Sequence, residues 1–175
     1  MLTKVKRMTR TMTCAAPIAA LVLACSAPAD GPSTGTYTVK FPSTAAAVAT
    51  DTVQLLVFDA PQAPAERAGF CETLIQGRKR KEPQKPLVTN QPVNICELLR
   101  GRKPITIDNG DKAILALAQR SGVDFMIGCA LQTVGDSNEL TPIDLGLVDP
   151  ASPVPATTCK GVGDFCAIPQ KCTAQ

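Results

Sequence analysis

The stretch Ile105-Thr106-Ile107-Asp108-Asn109-Gly110-Asp111, followed by Lys112-Ala113-Ile114-Leu115-Ala116-Leu117-Ala118, decides how the chain is read. Asn-Gly between apolar runs is a strong hairpin signal, because both central residues of a type I′ turn need positive φ. On that reading 105–107 and 112–118 are antiparallel neighbours. The alanines at 113, 116 and 118 also suit a helix over 112–119. The short turn before the run and the strand-like stretch after it make the hairpin more consistent. Ser121-Gly122 marks a second turn, leading to a strand from Asp124 to Leu131. Gly135-Asp136-Ser137-Asn138 makes a third turn, before a last strand over 143–148 with Ile143, Leu145 and Leu147 in phase.

Toward the N-terminus the pattern is similar. Thr36 to Phe41 alternates strictly, with Tyr37, Val39 and Phe41 on one face, which predicts a half-buried strand. Ser43 can cap one helical turn in the alanine-rich stretch that follows. Thr52 to Asp59 is apolar on both faces and predicts a central strand. Pro64 suits the first turn of a helix carrying Phe70, Cys71, Leu74 and Ile75, which Gly77 is placed to stop. Leu87-Val88-Thr89 and Val93-Asn94-Ile95-Cys96 read as short strands, and Glu97 to Gly101 as a turn region. Turn signals every 8–12 residues predict an all-β fold, an antiparallel β-sandwich of about seven strands with one helical excursion.

The first 24 residues read as an address. Lys4, Lys6, Arg7 and Arg10 precede an uncharged apolar stretch of about a dozen residues, too short to span a bilayer and typical of an export signal. It ends in Val22-Leu23-Ala24-Cys25, which resembles the lipobox of bacterial lipoproteins. The resemblance implies cleavage after Ala24 and acylation of Cys25, whose acyl chains (palmitate among them) give a lasting membrane anchor at about 0.8 kcal/mol per buried CH₂. Ser26, in place of the aspartate that favours inner-membrane retention, implies the outer membrane. The competing reading is an ordinary signal peptide cut elsewhere, with Cys25 discarded or disulfide-bonded.

Cleavage changes the totals. Eighteen Lys and Arg face fifteen Asp and Glu, a net charge of +3. Without the four leader cations, 14 face 15 and the sum is −1. No basic field remains for nucleic acid, and a 3% aromatic content offers few stacking platforms. The chain has no histidine, which excludes Ser-His-Asp triads, Cys-His dyads and imidazole-bound zinc.

The expected organisation is a leader over 1–24, a Pro/Gly-rich tether over 25–35, the sandwich over 36–148, a Pro-rich spacer over 149–158 and a Cys-rich tail over 159–175. Six cysteines remain beyond Cys25: Cys71, Cys96, Cys129, Cys159, Cys166 and Cys172. None sits in a C-x-x-C pair, so structural disulfides are expected rather than a metal or redox site. Sequence alone permits 15 pairings. The pairing favoured is Cys71–Cys96, Cys129–Cys159 and Cys166–Cys172. At least one bridge joining domain and tail is expected.

Phe41-Pro42-Ser43, Val57-Phe58-Asp59 and Gly128-Cys129-Ala130 resemble stretches of uncharacterised surface lipoproteins of predatory and gliding Gram-negative bacteria. The predicted strand order over Thr36–Val148 is similar to transthyretin-like and carboxypeptidase-regulatory-type sandwiches. That resemblance implies a structural or binding module.

Three features bear on chemistry. The run Arg78-Lys79-Arg80-Lys81, with Lys85, is a candidate anion site, although a solvated loop explains it more simply. Asp108, Asn109 and Asp111 are oxygen ligands that could hold Ca²⁺, but the spacing is not that of an EF-hand and a turn accounts for them. Asp136, Asn138 and Glu139 read likewise. No nucleophile-elbow, Ser-x-x-Lys or P-loop pattern occurs in the mature chain. Neither cofactor nor metal is expected. The expected function is a membrane-anchored, non-catalytic binding or scaffolding module of the cell envelope, with a protein or glycan partner. The alternatives are an adhesin that uses loops at one end of the sandwich, and a histidine-free hydrolase.

Overall fold

The computed structural model describes residues 32–35, 37–100, 105–135, 142–167 and 172. The leader over 1–24, Cys25 and the turn holding Asp136, Asn138 and Glu139 lie outside the described residues. In chain order the elements are β1 (Pro32–Gly35), β2 (Thr38–Lys40), α1 (Thr44–Val48), β3 (Thr52–Asp59), α2 (Pro64–Lys79), β4 (Val88–Thr89) and β5 (Val93–Asn94). There follow α3 (Ile95–Leu99), β6 (Ile105–Asp108), β7 (Gly110–Arg120), β8 (Val123–Val134), β9 (Pro142–Asp144), β10 (Gly146–Leu147) and α4 (Val162–Ala167).

The fold is mixed α/β, which corrects the expectation of an all-β sandwich. An antiparallel sheet in the order β10-β8-β7-β3-β4, with β5 also on β3, forms the middle layer. Its central strands are apolar on both faces. Val53, Leu55, Val57, Ile114, Ala116 and Met126 are buried on one side. Leu56, Phe58, Leu115, Leu117 and Ile127 are buried on the other. A single second sheet could not cover both. The first face is covered by two separate two-stranded ladders, the antiparallel β1–β6 and the parallel β2–β9, with Ala46 of α1. The second face is covered by α2 through Phe70, Leu74 and Ile75.

The Asn109-Gly110 expectation is corrected in an instructive way. Gly110 does adopt a positive φ of 120°. However, β6 pairs with β1 and not with β7, so the turn is a corner between layers. The hairpin is at Ser121-Gly122, where φ values of 51° and 76° and the Arg120↔Val123 pair make a two-residue connection. The alanine-rich 112–119 is strand, because β3 and β8 satisfy its backbone on both sides.

Other elements shift at their ends. Ser43 caps α1, its Oγ accepting from the Ala46 amide at 3.0 Å. Ile95 and Cys96 begin α3 instead of extending β5, with the Asn94 side chain accepting from the Cys96 amide at 2.9 Å. The β4/β5 edge is broken between Thr89 and Val93, where Pro92 has no amide to donate and Asn90 bonds the Leu55 backbone instead. The single strand expected over 143–148 divides into β9 and β10. Ile143, Leu145 and Leu147 still meet the same core.

That division depends on Gly128. A Cβ there would collide with the backbone carbonyl of Asp144 and lie 3.2 Å from the Leu145 side chain. The chain therefore crosses β8 at van der Waals distance before β10 joins the sheet edge through Gly146↔Ile127 and Leu147↔Met126.

Three disulfides staple the layers, in a connectivity different from the one expected. Cys71–Cys129 joins α2 to β8, with Cα atoms 5.5 Å apart. Cys96–Cys166 joins α3 to α4 at 5.3 Å, and Cys159–Cys172 closes the tail at 5.1 Å. Cys71 cannot meet Cys96, because Cys71 lies on the helix covering one face of the sheet while Leu98, beside Cys96, packs against the other. The sheet separates the two. A bridge between domain and tail is present, as Cys96–Cys166. No helix among the described residues is long and apolar enough to cross a membrane.

Three outcomes are expected. Gly128→Ala should lower unfolding stability by about 2–4 kcal/mol in urea titrations, because a backbone carbonyl must move. Gly69→Ala, whose added Cβ meets nothing within 4 Å on α2, should raise stability by about 0.5–1 kcal/mol. Replacing Cys71 and Cys129 together by alanine should cost about 2–4 kcal/mol in the same assay, since their 58-residue separation closes a long loop in the unfolded chain.

Candidate functional site

The described surface carries an open groove of about 460 Å³ at the hairpin end of the central sheet. Three segments build it. The last turn of α2 and the residues just beyond contribute Arg78, Lys79, Lys81 and Pro83. The β7–β8 hairpin contributes Gly122, Val123, Asp124 and Ile127, and the chain after β10 contributes Val148.

The end of α2 is shaped by its backbone. The Glu82 amide donates to the Gly77 carbonyl at 2.8 Å and the Lys81 amide donates to the Arg78 carbonyl at 3.1 Å, the pair of bonds of a Schellman cap. The left-handed position of such a cap usually holds glycine. Here it holds Lys81, with φ of 62°. Gly77, expected to stop the helix, instead lies inside it. Its absent Cβ leaves room for the Glu82 carbonyl, which would otherwise be 3.0 Å away. The run Arg78–Lys81 is therefore helix end and cap, not a free loop.

The charges of that run are not equivalent. Arg78 reaches across to Asp124, Nε donating to Oδ2 at 2.6 Å and Nη2 to Oδ1 at 3.2 Å. Gln119 Nε2 also donates to Oδ1 at 3.2 Å. Burial raises the Asp124 pKa, but the hydrogen bonds from Arg78 and Gln119 and the Arg78 charge outweigh it. The carboxyl is thus held below its ordinary value. Arg80 pairs loosely with Glu82 at 3.8 Å, both well exposed. Lys79 and Lys81 are exposed and have no ion pair among the described residues. Within the groove three cations face one carboxylate, an excess of two. Ile127 is buried at its floor, while Val123 stands 68% exposed at its rim.

The Asp108–Asp111 cluster is placed differently. Arg67 Nη1 pairs with Asp111 Oδ2 at 2.7 Å, and Thr133 Oγ1 donates to Asp111 Oδ1 at 2.6 Å. These hydrogen bonds, Arg67 first, lower the Asp111 pKa. Both carboxylate oxygens of Asp111 are thus engaged, one by Arg67 and one by Thr133. Nearby, the buried Lys112 Nζ reaches Asp59 Oδ1 at 2.5 Å. Among the described residues no group of three His, Cys, Asp or Glu could hold a metal ion.

Of the residues singled out from sequence, Arg78, Lys79 and Lys81 line the groove, while Lys85 does not. The six cysteines are all in the bridges described above. Asp124, Ile127 and Val148 carried no sequence signal as site residues. Each read as an ordinary part of a strand, and only the packing of α2 brings them together.

Asp124→Asn should lower stability by about 1 kcal/mol at neutral pH. The folded pKa of Asp124 is depressed, so the stabilisation is present above the unfolded value of about 3.9 and is lost as pH falls through the folded value. Urea titrations should therefore separate the two proteins at pH about 7 and bring them together near pH 2.

No protein-family model matches the chain, and neither the curated proteins nor the solved structures contain a match to it.

Proposed function

We propose that this chain is a membrane-anchored envelope lipoprotein whose domain is a non-catalytic binding or scaffolding module. The observation that carries the reading is Val22-Leu23-Ala24-Cys25, at the end of a basic and then apolar leader. Cys25 precedes the first described strand at Pro32 by seven residues. Three disulfides are consistent with an oxidising, extracytoplasmic setting. Ser26 supports the outer membrane as destination. The chain lacks histidine, and Asp111 and Asp124 are engaged by arginines. Those features favour binding over turnover.

An adhesin that recognises protein is the second reading, favoured by the open groove at one end of the domain. Sugar recognition is less well supported. Phe58 and Phe125 are buried, and Tyr37, Phe41, Phe70 and Phe165 are half-buried, so no aromatic ring among the described residues is fully presented for stacking.

Cells fed an alkyne fatty acid should label the wild-type chain, and the mature N-terminus should be acylated Cys25. Cys25→Ala should abolish the label. A mature chain beginning at another residue, or label retained in Cys25→Ala, would overturn the anchor.

A further inference from the structure

The two ends of the central sheet differ in charge and in distance from the N-terminal tether. At the Gly110 end, Lys112 is ion-paired to Asp59 and Arg67 to Asp111. The chain arrives there, since Pro32 pairs with Asp108, two residues before Gly110. The groove lies beyond Arg120, at the far end of the eleven-residue β7. Ten steps of about 3.3 Å place these ends about 30 Å apart. The seven steps from Cys25 to Pro32 span at most about 25 Å. On the anchored-module reading, on which this point rests, the groove lies at the end of the sheet remote from the anchor.

Its chemistry is two-part. Lys79 and Lys81 supply point charges on one side, and Ile127, Val148 and Val123 supply an apolar surface on the other. Arg78 is the least available of the three cations, because Asp124 holds the Nε–Nη2 edge of its guanidinium. Lys81 occupies a left-handed position that glycine would fill with less strain. A lysine there is not explained by the helix cap, and it adds a cation to the groove rim. A volume of about 460 Å³ accommodates a few side chains, not a folded domain.

We propose that this groove docks an acidic, partly apolar peptide segment of a partner protein, with a carboxylate between Lys79 and Lys81 and an apolar side chain on Ile127 and Val148. A peptide fits better than a lipid headgroup, because the apolar floor of Ile127 and Val148 beside the lysines suits a side chain next to the carboxylate. It fits better than a glycan because no aromatic ring among the described residues is fully exposed.

The test uses the full-length chain in non-ionic detergent and a fluorescent hexapeptide alternating leucine and glutamate, read by polarisation. Saturable binding is expected. It should weaken about fivefold or more in Lys79→Gln and in Lys81→Gly, and be lost when both are combined. The same hexapeptide with glutamine for glutamate should not bind. Lys81→Gly should leave the melting temperature unchanged or higher, so that weakened binding is not weakened folding. Absence of saturable binding, equal binding by wild type and the double variant, or displacement of the peptide by short-chain phosphatidylglycerol at equal or lower concentration would overturn the proposal. Binding read in Cys25→Ala separates the two readings, since that variant removes the anchor and leaves the groove intact.

Discussion

Three strands, β3, β7 and β8, carry apolar side chains on both faces, and the rest of the molecule follows from covering them. A strand that is apolar on one side only can leave its other side in water. β7 has no such side, since it is buried without interruption from Lys112 to Ala118. Even Lys112 conforms, with its stem buried and its ammonium reaching the exposed Asp59. One helix suffices for one face. The other is larger and is tiled by β1–β6, β2–β9 and α1, none of which has enough apolar surface to stand alone. The disulfides fit this division. Cys71–Cys129 fastens the helix that covers one face, and the other two fasten α3, α4 and the tail.

The sequence is legible where a decision is local. The span of β3, the Ser43 cap and the helix starting at Pro64 each depend on a few neighbouring residues. It is illegible where the deciding partner is distant. Asn109-Gly110 announces a reversal with positive φ, and glycine does supply it. Nothing local reveals whether the reversed strand pairs with its neighbour or leaves the sheet. β6 leaves, because Ile105 and Ile107 are needed against the first face. The same blindness affects the cysteines. Their number and reactivity are local properties, but their pairing is set by the sheet that lies between Cys71 and Cys96.

The groove was half legible for the same reason. A run of four cations is visible in any reading. Its division into one tied arginine, one loosely paired arginine and two lysines without ion pairs among the described residues is not. The tie on Arg78 comes from Asp124, 46 residues away in sequence. The apolar floor is equally hidden, since Ile127 and Val148 read as core residues and gain a second role only where α2 ends.

Charge and backbone geometry at the two ends of the sheet point the same way. Where the chain arrives, cations and carboxylates meet at 2.5–2.7 Å. Where α2 ends, the helix dipole already favours cations, so Lys79 adds stability by standing there. Lys81 differs, because its charge comes at a left-handed residue where glycine would relieve strain. A helix terminus needs cations nearby, but it does not need one at the most restrictive position of its cap. The apolar floor beside that lysine gives the position a use that capping alone does not. Stability and recognition therefore make different demands on Lys81, and it is the residue at which the two can be separated.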